Sequence, residues 1–309
     1  MILVIGDYIL DEFCYGQVTR ISPEAPNLVL DLQDVKRIHG GGYNVVEHLR
    51  SLGNKVRFAT VVGTRAISKS DAENFFSDDD SVIFDPCRLA TIKSRMVAKY
   101  RHTTLLRVDQ ESRDEISEDQ QHAILEIAKN VIGGSECRAV CIIDYCKGMV
   151  TGPLASGIIG AAKRFGVKVF VDTKSRDIER YSGAYLIKPN KSEFSLLKSL
   201  SNMNDSTDEN FCKYLYESLE IQNVLRTLGE DGLELYSRGE VVVRLEGRTC
   251  DVKELSGAGD SVLAGVVHLH SEGLSLAHAA ERSNTAASIF VSEGVDYRLR
   301  KKDLDGAKN

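Results

Sequence analysis

Short β-branched runs, each followed by a polar or glycine turn and a helical period, recur along the chain and constrain its fold more than any other feature. Ile2 to Ile5, Val56 to Val62, Ala139 to Ile143, Val167 to Val171, Ala184 to Ile187 and Asn223 to Thr227 are the expected strands. Between them, Val45, Val46, Leu49 and Leu52 form one helical stripe, Pro153 opens a helix to Phe165, and Ser275 to Val291 reads as a long Ala-rich helix. Nearly continuous apolar strands need cover on both faces. The expected fold class is therefore α/β, a central and mostly parallel sheet between two layers of helices. A chain of 309 residues with 42% hydrophobic residues can bury one large core, so residues 1–309 read as a single enzyme-sized domain.

Two stretches break the rhythm. Over residues 12–38 the run Leu28-Val29-Leu30-Asp31-Leu32 looks strand-like, and over 91–110 apolar and basic residues alternate. Both are expected to pair into a small sheet beside the main body. Gly232 to Leu245 reads as a hairpin around Arg238-Gly239, and the polar stretches Ser68 to Asp80 and Asn202 to Asp208 as surface loops. A net charge of -6, without a Lys/Arg-rich run, argues against a nucleic-acid partner. The apolar start Met1 to Ile5 is too short for a signal peptide or a membrane span, which leads us to expect a cytoplasmic protein with no membrane partner. Seven cysteines, Cys250 among them and none in a C-x-x-C pair, read as reduced thiols.

The strongest chemical signal is Ser256-Gly257-Ala258-Gly259-Asp260, a small-residue turn that opens directly into the apolar helix pattern Ser261 to Val267. Unpaired first-turn amides and the helix dipole make such a turn an anion site, and Asp260 is placed to accept a hydroxyl proton beside a transferring phosphoryl group. The plain alternative is an N-cap with glycines for tight packing. Gly40-Gly41-Gly42-Tyr43-Asn44 precedes another helix, where Asn44 offers a donor and an acceptor to neighbouring hydroxyls; a flexible turn with an Asn cap is its simpler reading. Asp7, Asp11, Asp144, Asp172, Asn190 and Glu193 all follow expected strands, and in open α/β sheets the ligand crevice lies at those strand ends. Each alone reads as a turn or cap residue. Thr227-Leu228-Gly229-Glu230-Asp231-Gly232 ends a further strand and offers backbone amides to a nucleotide phosphate. His268 and His270, two apart on a helix, cannot form an i, i+4 zinc pair, and Asp78-Asp79-Asp80 reads as a solvated acidic loop. The chain has no G-x-x-x-x-G-K-[ST] run, so a kinase here needs another scaffold.

Together these motifs resemble the ribokinase-like, or PfkB, carbohydrate kinases, from Gly6 to about Asn284. Gly6-Asp7-Tyr8-Ile9-Leu10-Asp11, Arg20-Ile21-Ser22-Pro23-Glu24-Ala25-Pro26, Leu105-Leu106-Arg107-Val108-Asp109, Asp144-Tyr145-Cys146-Lys147-Gly148 and Val171-Asp172-Thr173-Lys174 look most like the D-glycero-β-D-manno-heptose 7-phosphate kinases within that family. The resemblance implies a ribokinase-like fold with a β lid made by the segments 12–38 and 91–110, ATP and Mg²⁺ as cofactors, and a homodimer formed through the lid. It implies phosphorylation of the anomeric hydroxyl of heptose 7-phosphate, a step toward ADP-heptose and lipopolysaccharide core. By motif, Asp260 matches the catalytic base and Gly257, Ala258 and Gly259 the anion hole. Asn190, Lys191, Ser192 and Glu193 match the ATP-associated N-x-x-E motif, with Glu193 the candidate for Mg²⁺, and Thr227, Gly229 and Asn284 match nucleotide-side positions. Asp11, Gly41, Gly42 and Asn44 match sugar-side positions, and Arg20, Arg101, Arg107 and Lys147 are the candidate partners of a sugar phosphate. Tyr43, where the family usually has alanine, is expected to crowd the sugar side; Cys14 replaces an aromatic; Glu254-Leu255-Ser256 replaces D-V-T and bears on a monovalent cation such as K⁺. Many members carry a fused nucleotidyltransferase, and with the chain ending at Asn309 a separate protein is expected to add the nucleotide. Two alternatives stay open: a kinase of the same fold for another sugar, sugar phosphate or nucleoside, and a silent sugar- or nucleotide-binding protein.

Overall fold

A computed structural model describes residues 1–65, 67, 73, 75–100, 103–248, 251, 256–294 and 296–305. Its strands are β1 (Ile2–Gly6), β2 (Tyr8–Ile21), β3 (Leu28–Gly41), β4 (Val56–Arg65), β5 (Ser81–Leu89), β6 (Ile92–Ala98), β7 (Thr103–Gln110), β8 (Ala139–Asp144), β9 (Lys168–Thr173), β10 (Leu186–Ile187), β11 (Asn223–Thr227), β12 (Leu233–Ser237) and β13 (Glu240–Leu245). Its helices are α1 (Gly42–Ser51), α2 (Glu118–Ile132), α3 (Gly152–Phe165), α4 (Lys191–Leu200), α5 (Asp208–Leu219), α6 (Ala258–Ser271), α7 (Leu276–Glu293) and the single turn α8 (Lys301–Leu304).

Nine strands form the main sheet in the order β13-β12-β11-β10-β9-β8-β1-β4-β5. It is parallel from β5 to β11, and the β12–β13 hairpin completes one edge antiparallel. That hairpin turns at Arg238 and Gly239, both left-handed at φ 51° and 87°, which suits the twist of a two-residue turn. Period-two alternation divides the core. Leu3, Ile5, Val140, Ile142, Val169 and Val171 face one layer with Ile124 of α2, Ile158 of α3, Phe194 of α4 and Phe211 of α5. Ile2, Val4, Cys141, Ile143 and Phe170 face the other with Val46 and Leu49 of α1 and Leu263 and Val267 of α6. The fold is the expected one, a mostly parallel sheet covered on both faces.

The second sheet runs β3-β2-β6-β7, from the two stretches that break the βα rhythm. β2 pairs antiparallel with β3 and parallel with β6, whose partner β7 is antiparallel. Register places Asp11 beside Lys93 and Asp109, and Phe13 beside Arg95 and Arg107. Because side chains alternate, these six residues share one face, and Cys14, Leu106 and Val108 lie on the other.

Asp80 departs from the solvated loop expected of it. Its carboxylate is fully buried, accepts from Phe58 N–H at 3.0 Å and pairs with Arg50 at 2.6 Å. Among the described residues six cysteines are free thiols, Cys250 lying outside them, and no helix is long and apolar enough to cross a membrane.

Candidate active site

The site lies where the carboxyl ends of the central strands meet the N-terminus of α6. Gly257 caps that helix at φ 87° with no side-chain cap bond, so the first-turn amides keep their donors for a ligand. The position tolerates little else, since a Cβ on Gly257 would stand 2.7 Å from Asn44 Nδ2.

Asp260, in this first turn, is 4% exposed. Asn44 Nδ2 donates to its Oδ2 at 2.8 Å and the Tyr145 hydroxyl to its Oδ1 at 2.8 Å. Burial and then the nearby Asp172 carboxylate push its pKa up to about 6, against the opposing pull of Asn44, Lys188 and Tyr145. A carboxylate poised there is charged at neutral pH yet basic enough to take a proton.

The turn separates two cavities. One of about 260 Å³ is lined by Asp11, Gly41, Asn44, Tyr145, Gly257 and Asp260, together with Lys93, Arg95, Arg107 and Lys174. Arg95 bonds Asp11 at 2.5 Å and lies 5.0 Å above the Phe13 ring, while Arg107 bonds Asp109 at 2.8 Å. Arg95 and Arg107 are directly opposed across β6 and β7, a like-charge pairing that Asp11 and Asp109 offset. The other cavity, of about 830 Å³, is lined by Asn190, Thr227, Gly229, Ala258, Gly259 and Asn284, with Leu233, Val262, Ala287 and Val291 supplying apolar wall. Asn284 donates to the Glu246 carbonyl at 3.0 Å.

Several expected residues stand elsewhere. Gly42 packs toward Phe58 instead of lining the smaller cavity. Lys147 is not brought to it either: its ammonium pairs with Glu111 at 2.5 Å. Arg20 is exposed near the far end of β2, and Arg101 and Glu254-Leu255 lie outside the described residues, with the monovalent-cation question they carry. Tyr43 does not crowd the sugar side. Its hydroxyl bonds Asp80 and Arg50 at 3.1 and 2.9 Å, and its ring packs on Phe58. Asn190 and Glu193 form a reciprocal capping box on α4, at 2.9 and 2.8 Å, so that motif is first a helix start. Ser192 bonds Asn190 at 2.7 Å and Lys191 pairs with Asp231 at 3.2 Å.

The strand-end acids do not all converge. Asp7 is buried and accepts from the backbone N–H groups of Tyr145, Lys147 and Met149 at 2.7, 3.1 and 3.2 Å. It builds the loop that carries Tyr145. Burial, then Asp144, pushes its pKa up to about 7. Asp144 is held by the Tyr181 hydroxyl and by Cys146 N–H. Asp172 does approach the site, paired at 3.0 Å with the buried Lys188, a residue that sequence reasoning passed over together with Lys93 and Arg95. The alternation over 91–110 was the available signal for the latter two; for Lys188 it was a cation placed between a strand end and a capping box.

A magnesium ion carried on nucleotide phosphates needs only one or two carboxylates and water. Among the described residues no group of three His, Cys, Asp or Glu side chains can hold a metal ion by itself. Glu193 fits the lesser requirement: its Oε2 accepts from Asn190 N–H, leaving Oε1 clear of the cap, and burial, with Asp172 beside it, raises its pKa.

Residues 1–298 match the profile of the pfkB family carbohydrate kinases. Bifunctional protein HldE of Desulfatibacillum aliphaticivorans is 35% identical over 295 residues, covering 94% of this chain and 60% of that protein. Bifunctional protein HldE of Geobacter sulfurreducens is 32% identical over 297 residues, covering 94% and 59%. The chain thus spans about 60% of the length of these curated relatives. Among solved structures, phosphofructokinase-2 from Escherichia coli in complex with substrates and products superposes with a TM-score of 0.76 at 16% identity, over 98% of this chain and 96% of that one. The ribokinase of Arabidopsis thaliana complexed with ribose and ATP superposes at 0.70 with 19% identity, over 99% of both. At these identities the likeness is one of fold.

Proposed function

The chain belongs to the pfkB family of carbohydrate kinases, a phosphotransferase with an alcohol group as acceptor, and on that premise we propose that it transfers the γ-phosphoryl group of ATP to D-glycero-β-D-manno-heptose 7-phosphate. The product is the 1,7-bisphosphate, phosphorylated at the anomeric hydroxyl and destined for ADP-heptose and lipopolysaccharide core. One observation carries the reading: a buried carboxylate, Asp260, stands at a bare helix N-terminus between a cation-lined cavity and a larger, partly apolar one.

The larger cavity takes the nucleotide, adenosine against the apolar wall and phosphates toward Gly229 and the α6 amides. The smaller takes the sugar. Asn44 and Asp11 address its hydroxyls, and Asp260 accepts the proton of the attacking one while the first-turn amides stabilise charge growing on the phosphoryl oxygens. Glu193 would hold Mg²⁺, which neutralises phosphate charge when bound. The β3-β2-β6-β7 sheet serves as the lid, and closing it over the sugar excludes water. Lys93, Arg95, Arg107 and Lys174 around the smaller cavity favour an acceptor that already bears a phosphate, and the R-I-S-P-E-A-P and D-Y-C-K-G runs, with the similarity to HldE proteins, favour heptose over other sugar phosphates. Exposed Val35, Leu106 and Val108 on the lid's other face support a homodimer formed there, and the demand for ATP favours the cytoplasm.

Phosphorus NMR of the reaction mixture tests the reading. A second phosphate appearing on the anomeric carbon of heptose 7-phosphate is the expected result, and a new phosphate at any other position refutes the proposed acceptor.

A further inference from the structure

Lys188 is 3% exposed, and its backbone is fixed on both sides: its N–H donates to the Val171 carbonyl at 2.8 Å, and Thr227 N–H donates to the next residue's carbonyl at 3.0 Å. The ammonium meets Asp172 at 3.0 Å. A buried ion pair gives little stability over an apolar pair of the same volume, so stability is a weak reason for one here. Place is a better one. A Cβ on Gly259 would stand 3.0 Å from Lys188 Nζ, which puts the ammonium directly behind the turn that separates the two cavities.

Burial alone would discharge this lysine, but Asp172, with Asp260 and Glu193 farther off, more than offsets that and keeps it protonated. An ammonium has three N–H donors and Asp172, the one partner the described residues give it, takes one. Two remain next to Gly259, in the turn between the two cavities. During transfer the phosphoryl group carries growing charge on its equatorial oxygens, and a desolvated cation there is worth far more than one in water.

We infer that Lys188 is a catalytic residue, its ammonium held in place by Asp172 and bonding the γ-phosphoryl oxygens during transfer. The inference rests on the kinase reading above. In the step, the bond from the γ-phosphorus to the β–γ bridging oxygen breaks and its electron pair leaves with ADP. The sugar hydroxyl oxygen forms the new bond, and its proton goes to Asp260. Lys188 supplies charge and hydrogen bonds and neither gains nor loses a proton. Asp172 is a positioning residue, acting through Lys188.

Calorimetric titration of the full chain with Mg²⁺-ADP and with the β,γ-imido analogue of Mg²⁺-ATP, alongside steady-state turnover, separates this role from a structural one. Lys188→Met is expected to weaken the analogue at least about tenfold while moving ADP affinity less than about threefold, and to lower kcat roughly 10²–10³-fold. Lys188→Arg keeps most of the analogue affinity. Because Lys188→Met strands a buried carboxylate, the double variant Lys188→Met/Asp172→Asn is measured too, and the same loss of the analogue relative to ADP is expected. Equal weakening of both nucleotides, or near-normal kcat in either Met variant, overturns the assignment. A wild-type chain that binds neither nucleotide overturns the kinase reading itself, a failure visible before any substitution is made.

Discussion

The two cavities that meet at Asp260 are built by different means. The larger is walled mainly by backbone and small or apolar side chains at the ends of β10 and β11 and along α6 and α7, with the charged Glu230 and Arg248 also lining it, a surface suited to a ligand recognised by shape and phosphate. The smaller is walled on one side by Lys93, Arg95, Arg107 and Lys174, a surface that selects by charge. On the proposed reading, chemistry belongs to the shared turn and acceptor selection to this charged wall.

The largest effect tests the shared turn. Asp260→Asn should lower kcat about 10²–10⁴-fold with the KM for ATP nearly unchanged, and steady-state kinetics with both substrates varied checks it. Next comes the charged wall: Arg107→Glu should raise KM for the sugar phosphate roughly 10–100-fold, the worth of one or two charge-assisted bonds, with little effect on KM for ATP. Equal shifts in both would break the division between the cavities. Ser288→Phe, which places a ring in the larger cavity, should do the reverse, raising KM for ATP several-fold and leaving the sugar untouched.

The smallest effect concerns protons. With Asp260 raised to about 6, kcat/KM should be full above that pH and fall about tenfold per unit below it, as the base protonates. The Tyr145 hydroxyl stabilises the carboxylate, so Tyr145→Phe should move this limb upward by a fraction of a unit, measurable in a pH–rate profile.

The difference between the cavities also marks what could be read from sequence. The α6 turn, the capping box at Asn190 and the strand-end glycines are local grammar, written in consecutive residues, and the structure brings Asp260, Asn44, Asn190 and Thr227 to the cavities. The βα rhythm is equally local, and Asn223–Thr227 matches its expected bounds while Lys168–Thr173 runs two residues past them. α2 went unread although Ser117 and Gln120 announce it with a capping box, because its apolar positions are diluted by polar ones. The charged wall could not be read this way. Arg95 faces Asp11 across 84 residues, a pairing set by the register of β2 with β6 and by no short motif. Lys147 misled for the same reason, since only the folded chain brings Glu111 to it. Lys188 was hidden by its type: a lysine is presumed solvated, and only burial beside Gly259 shows otherwise.

The most direct measurement is ADP release by the purified chain with Mg²⁺-ATP and, in turn, heptose 7-phosphate, fructose 6-phosphate, fructose and ribose, with Asp260→Asn in parallel. Turnover confined to heptose 7-phosphate and lost in the variant is the predicted result. Equal turnover on sugars without a phosphate, no turnover on any acceptor, or near-normal turnover in Asp260→Asn would contradict the account.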